Sequence, residues 1–161
     1  MVKCPVKLLA LRVEDVMIKK VHTIDAGFST RYAARMMDYL RVSSLVVVSD
    51  GRIVGIITER DLVSNIVAKA CNPEKTLVKD VMSSPVITTR PNSQLENAIK
   101  YMLTNNIKKL PVVAGEKDEE LVGILSLTDV ARLHPAIYAK LLEYQNDLQL
   151  QVNTKAQQYI L

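Results

Sequence analysis

Two separated stretches of this sequence each occur twice, in the same order. Residues 13–17 return at 78–82 as Val-x-Asp-Val-Met, and residues 54–61 return at 122–129 as Val-Gly-Ile-(Ile/Leu)-(Thr/Ser)-x-x-Asp. Because both matches keep their order and almost the same spacing, the chain contains a duplicated unit. Neither unit is long enough to bury a large core alone, so the sequence predicts two halves that pack together and share one interior.

Composition narrows the class of protein. The chain has 161 residues, of which 48% are hydrophobic and 24% are charged, as in ordinary globular proteins. No apolar run approaches the roughly 20 residues that span a bilayer, and residues 1–9 contain no continuous apolar core of a signal peptide. The sequence therefore predicts a cytoplasmic protein that does not enter a membrane.

Reactive side chains are sparse. Cys4 and Cys71 do not form a Cys-x-x-Cys motif, and His22 and His134 are isolated, so neither a disulfide nor a metal site is predicted. No nucleophile–histidine set or paired-carboxylate centre is evident, so we expect neither an enzyme nor a cofactor. A net charge of +4 without a dense run of Lys and Arg argues against a nucleic-acid partner.

Turn signals and hydrophobic periodicity divide the first copy into β-α-β-β-α order. Ser29 is a candidate helix N-cap, and Asp50-Gly51 is a hairpin turn signal. The predicted elements are an extended segment at 21–24, a helix at 30–40, strands at 45–48 and 53–57, and a helix from Thr58 to Lys69. Residues 72–75 are the predicted linker.

The second copy repeats this order. Its predicted elements are an extended segment at 85–88, a helix from Leu95 to Asn105 behind a Ser93–Glu96 capping box, strands at 110–113 and 121–125, an acidic turn at 115–120, and a helix from Ser126. Pro111 lacks a backbone donor, so it is expected at a sheet edge or bulge. After Pro135, a C-terminal helix that packs on the body or on a second chain is predicted from the spacing of Ile137, Leu141, Tyr144 and Leu148.

These elements predict an α+β fold made of two β-α-β-β-α repeats, each with a small mixed sheet, followed by a C-terminal helix. We expect repeat 1 to span residues 8–70, repeat 2 to span 76–133 and the helical tail to span 136–161.

The duplicated polar motif supports two interpretations. Thr58–Asp61 and Ser126–Asp129 have the spacing of a capping box, in which hydroxyl and carboxylate only satisfy backbone N–H groups. They also suit a nucleotide, because a helix N-terminus attracts phosphate and an ionised aspartate accepts hydrogen bonds from both ribose hydroxyls. In the second interpretation Gly55 and Gly123, which lack side chains, let a ligand approach the backbone.

Cationic and polar neighbours leave the same choice open. Lys108 and Lys109 precede a predicted strand, where they either face solvent or clamp a phosphate. Arg60 and Thr128 occupy equivalent positions inside the motif, from which each could contact phosphate. The alternative for Arg60 is that it faces water.

The full set of motifs resembles a tandem pair of CBS domains, the module named after cystathionine β-synthase. The resemblance covers roughly residues 8–133 and is carried by 13–17 with 78–82, by Leu110-Pro111-Val112-Val113, and by 55–61 with 123–129. It implies two repeats related by pseudo-twofold symmetry. It also implies two clefts that bind adenosine ligands such as AMP, ADP, ATP or S-adenosylmethionine, and dimerisation into a flat disk.

The resemblance implies ligand-binding residues as well. In one site Asp129 would bind the ribose, and Ser126, Thr128 and Lys109 would bind phosphate. Thr23 and Ile24 would lie across the cleft. The other would use Asp61, Thr58, Arg60 and Ser44, with Thr88 across the cleft. Lys108, which precedes Lys109, and Pro111, two residues beyond it, complete the predicted set. Because Ser44 is uncharged where the second repeat has Lys109, the Asp129 site is expected to favour phosphates more.

The leading functional hypothesis is a stand-alone module that senses an adenosine ligand. It would work as a homodimer and signal to a protein partner by shifting how its two halves pack. The alternative is a protein–protein adaptor or structural dimer that binds no nucleotide in the cell. In that case the motif residues are helix caps only, and the C-terminal helix is the docking element.

Overall fold

The computed structural model of the chain describes residues 11–115 and 120–137, together with Ala139, Glu143 and Asn146. Repeat 1 contains β1 (Thr23–Asp25), α1 (Thr30–Leu40), β2 (Ser44–Ser49), β3 (Arg52–Thr58) and α2 (Glu59–Leu62). Repeat 2 contains α3 (Leu95–Thr104), β4 (Lys109–Ala114), β5 (Glu120–Ser126) and α4 (Leu127–Leu133). Short 3-10 helices precede the repeats at Val13–Asp15 and Val78–Asp80. This repeated mixture of strands and helices confirms the predicted α+β class.

Helix α1 begins and ends where the sequence predicts. The Ser29 hydroxyl accepts a hydrogen bond from the Tyr32 N–H at 3.2 Å, which satisfies one of the free donors at the helix start. The helix buries Ala33 and Met37 on one face and ends at Arg41, which is in the left-handed conformation. Helical spacing of apolar residues was therefore a sufficient signal here.

Each repeat builds its own small sheet. In repeat 1, β1 pairs parallel with β2, and β2 pairs antiparallel with β3. In repeat 2, β4 and β5 pair antiparallel. The chain turns between β2 and β3 at Asp50 and Gly51, whose φ angles of 50° and 75° confirm the predicted hairpin turn. Most of the predicted acidic turn at 115–120 lies outside the described residues.

The extended segment predicted at 85–88 is not a strand, and Pro111 explains why. In repeat 1 the Val46 N–H donates to the His22 carbonyl at 3.1 Å, which extends the parallel pairing ahead of β1. Pro111 occupies the equivalent position in β4 and has no N–H to donate. Parallel pairing in repeat 2 is therefore reduced to a single bridge at Thr89. Pro111 lies on an edge strand of the two-stranded sheet, as predicted.

The Ser93–Glu96 capping box predicted ahead of α3 does not form. The N-cap of α3 is Gln94, and its side chain makes no capping hydrogen bond. The backbone of residues ahead of repeat 1 occupies this helix start, where the Leu95 N–H donates to the Leu11 carbonyl at 2.9 Å. A backbone partner has thus replaced the side-chain cap.

The single helix predicted from Thr58 to Lys69 changes type along its length. Helix α2 makes one turn and is followed by a π-helix at Val63–Val67. The Ala68 N–H donates to the Val63 carbonyl, five residues earlier, at 2.9 Å. The wider turn leaves Val63 and Val67 exposed while Ile66 is buried.

Residues 11–18 pack on repeat 2, and residues 76–83 pack on repeat 1. We call these two stretches the leading segments. Val13 is fully buried in the hydrophobic core of repeat 2. Ile18 then exchanges two backbone hydrogen bonds with Ile124 of β5, at 3.0 and 2.9 Å. The first leading segment therefore completes the second repeat.

The second leading segment makes the equivalent contacts on repeat 1. Val78 is fully buried in the core of repeat 1, and its N–H donates to the Phe28 carbonyl at 2.8 Å. Ser83 exchanges two backbone hydrogen bonds with Ile56 of β3, at 2.9 and 3.1 Å. Each leading segment therefore crosses to the other repeat, and we call these two connections the crossings.

The aspartate of the repeated Val-x-Asp-Val-Met motif closes a turn in each leading segment. The Asp15 carboxylate accepts a hydrogen bond from the Arg12 N–H at 2.8 Å. The Asp80 carboxylate accepts one from the Leu77 N–H at 3.1 Å. This shared local role accounts for the acidic residue in both copies.

The described residues form two hydrophobic cores, whereas the sequence predicted one shared interior. One core lies in repeat 1 and is completed by Val78, and the other lies in repeat 2 and is completed by Val13. Ile137, only 3% exposed, joins the second core. The other apolar positions of the predicted C-terminal helix, Leu141, Tyr144 and Leu148, lie outside the described residues.

Candidate functional site

Two cavities lie between the repeats, and each contains one motif aspartate. The Asp129 cavity has a volume of about 540 Å³ and is lined by residues of both repeats. The Asp61 cavity has a volume of about 480 Å³ and is also lined by both. These volumes are typical of small-molecule sites.

In the Asp61 cavity the motif residues form a complete capping box. Asp61 Oδ2 accepts hydrogen bonds from the Thr58 N–H at 2.8 Å and from the Thr58 hydroxyl at 2.7 Å. The Thr58 hydroxyl oxygen in turn accepts from the Asp61 N–H at 3.2 Å. The capping role considered from the sequence is therefore real at this site, and it occupies one of the two carboxylate oxygens.

In the Asp129 cavity the equivalent box is only half formed. The Ser126 hydroxyl accepts from the Asp129 N–H at 3.4 Å and from the Lys109 ammonium at 2.9 Å. The Asp129 carboxylate lies 4.0 Å from Lys109 Nζ and 3.2 Å from Arg132 Nη2. Repeat 1 has Ser44 where repeat 2 has Lys109, so only in repeat 2 does a lysine draw the carboxylate away from the helix start.

Replacing Thr58 by alanine should lower the free energy of unfolding by about 1 kcal/mol, because the capping box loses its hydroxyl. Urea denaturation of the purified protein measures this loss. Thr58→Ser keeps the hydroxyl and is the matched control, with an expected loss well below that of Thr58→Ala. Equal losses in the two variants would contradict a capping role.

Most of the predicted ligand-binding residues line a cavity. Those in the Asp61 cavity are Thr58, Arg60, Asp61, Lys108, Lys109, Pro111 and Thr128. Those in the Asp129 cavity are Ser44, Lys109, Thr128 and Asp129. Ser44 thus lies on the opposite cavity from the one predicted, and its neighbour Ser43 lines both.

Four predicted residues line neither cavity: Thr23, Ile24, Thr88 and Ser126. Ile24 is buried in the core of repeat 1, and Ser126 is only 2% exposed beneath Lys109. The cavities are lined instead by slightly earlier residues, Lys20, Val21 and His22 in one and Pro85, Val86 and Ile87 in the other. These residues follow the leading segments, so the crossing decides which positions face the cavity.

Gly55 and Gly123 do not serve ligand approach, contrary to the prediction. A Cβ at Gly55 would lie 2.6 Å from Met82 Sδ and 2.9 Å from the Ser83 carbonyl oxygen. A Cβ at Gly123 would lie 2.5 Å from Met17 Sδ and 3.2 Å from the Ile18 carbonyl oxygen. Each glycine therefore makes room for the methionine of a leading segment.

The Lys, Arg and acidic side chains differ between the cavities. The Asp61 cavity has the cations Arg60, Lys108 and Lys109 and the anions Glu59 and Asp61. The Asp129 cavity has the cations Lys20, Arg41 and Lys109 and the anions Asp38, Glu59 and Asp129. Preferential phosphate binding at the Asp129 site stays a prediction, and this distribution of charge favours the reverse.

The described part of the chain contains neither a metal-binding cluster nor a membrane-spanning helix. No group of three or more His, Cys, Asp or Glu side chains is placed there to hold a metal ion. Within the same residues, no helix has the length and apolar character required to cross a bilayer.

Comparison with known proteins gives a consistent result. The sequence matches the CBS domain family twice, over residues 13–68 and 78–135. It is 34% identical over 109 residues to an uncharacterized protein of Methanopyrus kandleri, covering 67% of this chain and 55% of that protein. It is 32% identical over 122 residues to inosine-5'-monophosphate dehydrogenase of Methanocaldococcus jannaschii, covering 75% of this chain and 23% of the enzyme. The matched region thus spans about half of the length of the first relative and about a quarter of the length of the second.

A solved structure shows the same arrangement of two repeats. The domain pair of protein MJ0100 superposes with a TM-score of 0.69 at 27% sequence identity, covering 78% of this chain and 97% of that chain. It was solved in complex with 5'-methylthioadenosine and S-adenosyl-L-methionine.

Proposed function

The chain belongs to the CBS domain family, and from this membership we propose that it is a regulatory module that binds an adenosine ligand between its repeats. It acts without catalysis, in the cytoplasm, as a homodimer that passes the ligand signal to a protein partner. The observation that carries this function is the pair of cavities, each with a motif aspartate beside apolar and cationic side chains. The two adenosine compounds bound by the MJ0100 domain pair support this class of ligand.

The lining of the Asp61 cavity suits the three parts of a nucleotide. Pro85, Val86 and Ile87 provide an apolar wall for a flat base. Asp61 Oδ1 carries no hydrogen bond among the described residues and is free to accept from a ribose hydroxyl. Arg60 supplies a cation for a phosphate oxygen.

A ligand in either cavity would connect the two halves. Ile18 of the first leading segment lies in the Asp129 cavity, and Ser83 of the second lies in the Asp61 cavity. A ligand that contacts both a leading segment and the opposite motif favours the arrangement in which they are closest. This bias is the conformational signal that a partner reads.

The direct test is a thermal-shift panel of AMP, ADP, ATP, S-adenosylmethionine, 5'-methylthioadenosine and GMP on protein freed of carried-over ligand. A ligand at about 100 times its dissociation constant stabilises a protein by about 2.7 kcal/mol. For a chain of this length we expect the midpoint to rise by roughly 5–10 °C with adenosine compounds. GMP is the control for base selectivity.

The double variant Asp61→Ala/Asp129→Ala should abolish the shift, because both ribose acceptors are removed. Glu14→Ala/Glu120→Ala removes two exposed carboxylates outside both cavities and should retain it. A folded protein whose midpoint no adenosine compound changes would refute the proposed function. Light scattering tests the homodimer separately, with twice the 18.0 kDa chain mass expected.

A protein–protein adaptor is the second candidate, and the capping box favours it. Thr58 and Asp61 form a complete capping box without a ligand, as a purely structural pair would. An adaptor would show no midpoint shift with the panel yet would retain a partner when affinity-purified. Retention that does not depend on added nucleotide would distinguish it from the sensor.

A further inference from the structure

We propose that the two cavities take different classes of adenosine ligand and that Lys109 divides them. The Asp61 cavity takes a phosphorylated nucleoside, and the Asp129 cavity takes a nucleoside that carries no phosphate. This inference rests on the proposed function and assigns a ligand class to each of its two sites.

A shared wall makes the two sites interdependent. Ser43, Glu59, Lys109 and Thr128 line both cavities. Of these four, only Lys109 carries a positive charge, at the end of a flexible stem that can reach either side. Repeat 1 has Ser44 at the equivalent position, so a single lysine serves both cavities.

The Asp61 cavity has two cations besides Lys109 that can bind a phosphate. Arg60 and Lys108 line it, and neither has an ion-pair partner among the described residues. The Asp61 carboxylate is engaged by the N–H and hydroxyl of Thr58, which offset its charge. Two uncommitted cations therefore face this cavity and attract a phosphate group.

Two of the three cations that line the Asp129 cavity lie near a carboxylate, and Lys20 is the third. Arg41 lies 3.7 Å from Asp38, and Lys109 is held by Ser126 at 2.9 Å and lies 4.0 Å from Asp129. A phosphate here would face the three carboxylates of Asp38, Glu59 and Asp129, and it could gain Lys109 only by drawing it from Asp129. A ribose needs only acceptors for its hydroxyls, which Asp129 provides.

Occupancy of the first cavity reinforces this division. A phosphate in the Asp61 cavity attracts the Lys109 ammonium towards itself, since opposite charges at short range in a partly buried site interact strongly. Asp129 then faces its own cavity with less neutralisation, beside Asp38 and Glu59. A second phosphate is repelled there, whereas an uncharged nucleoside gains a freed acceptor at Asp129.

Calorimetric titration of the full chain, freed of carried-over nucleotide, tests the division with AMP and 5'-methylthioadenosine as probes. We expect one tight AMP per chain, and a second AMP at least about tenfold weaker, the ratio that corresponds to about 1.4 kcal/mol. 5'-Methylthioadenosine should still bind protein saturated at its tight AMP site. Lys109→Gln should bring the two AMP affinities closer together.

Paired variants locate each probe. Arg60→Ala/Lys108→Ala should weaken the tight AMP site by about tenfold or more, as expected for the loss of charge-assisted hydrogen bonds. The same variant should leave 5'-methylthioadenosine binding within about twofold, while Asp129→Asn should weaken that binding instead. Arg52→Ala/Lys75→Ala removes two exposed positive charges that lie outside both cavities, and it is the control for overall charge.

The outcomes separate this inference from the proposed function. Two AMP molecules bound with equal affinity, or AMP binding weakened only by Asp129→Asn, would overturn the division of ligands and leave an adenosine-binding module. Absence of binding by every adenosine compound would overturn both.

Discussion

An aspartate at Val13 should destabilise the protein by about 3–5 kcal/mol, the loss typical of an uncompensated buried charge. Val13 is fully buried, and its surroundings are the apolar residues of the repeat 2 core. Such a loss is a large part of the stability of an ordinary domain. Urea denaturation measures it, and Val67→Asp is the matched control, because Val67 is 72% exposed and should change stability by no more than about 0.5 kcal/mol.

The milder Val13→Ala shows where the stability is lost. Hydrogen exchange should quicken in α3, β4 and β5, because Val13 completes the core of repeat 2 although it precedes repeat 1 in the sequence. Val78→Ala is the reciprocal variant and should quicken exchange in β1–β3. The crossings would be contradicted if Val13→Ala quickened exchange only in repeat 1 and Val78→Ala only in repeat 2.

Alanine at Gly55 should destabilise the protein by about 1–3 kcal/mol through overpacking. At an unhindered position with ordinary backbone angles the same change would stabilise by about 0.4–1 kcal/mol, so the sign of the effect is itself a test. The new Cβ would meet Met82 Sδ at 2.6 Å and the Ser83 carbonyl oxygen at 2.9 Å. That oxygen is held by a hydrogen bond from the Ile56 N–H and cannot yield easily.

The second glycine supplies the comparison. At Gly123 the nearest atoms belong to the flexible Met17 side chain, and the Ile18 carbonyl oxygen is 3.2 Å away, so Gly123→Ala should cost less than Gly55→Ala. In a Met17→Ala background Gly123→Ala should become nearly neutral or stabilising. In a Met82→Ala background Gly55→Ala should remain costly. Thermal or urea unfolding of the two double-mutant cycles decides this, and equal, additive costs would contradict the proposed contacts.

Local features of the fold could be predicted from the sequence, because their causes are local. The N-cap at Ser29, the helical spacing that follows it and the Asp50-Gly51 turn depend on neighbours in the chain. The leading segments could not be predicted, since their partners are distant in sequence. The consequence of Pro111 was missed for the same reason: its missing donor removes a hydrogen bond from residues far upstream.

The candidate site was predictable only in part. The motif pairs Thr58–Asp61 and Ser126–Asp129 lie in or beside the cavities, because the strand and the helix start that hold them are adjacent in the chain. The residues across each cavity were misplaced by a few positions, since the crossing of the leading segments determines them. One signal was present: both copies pair a Val-x-Asp-Val-Met motif with a Val-Gly-Ile motif, which a methionine–glycine contact between copies explains.

The two crossings become possible at different times during synthesis on the ribosome. Ser83 follows Ile56 by about thirty residues, so repeat 1 can close its core while the remainder of the chain is still being translated. Ile18 has to wait for Ile124, about a hundred residues later, and the longer loop costs more entropy to close. The first leading segment is thus synthesised well before the strand on which it is finally placed. Until then its backbone donors and acceptors are unpaired and exposed to wrong partners, including the nascent chains of neighbouring ribosomes.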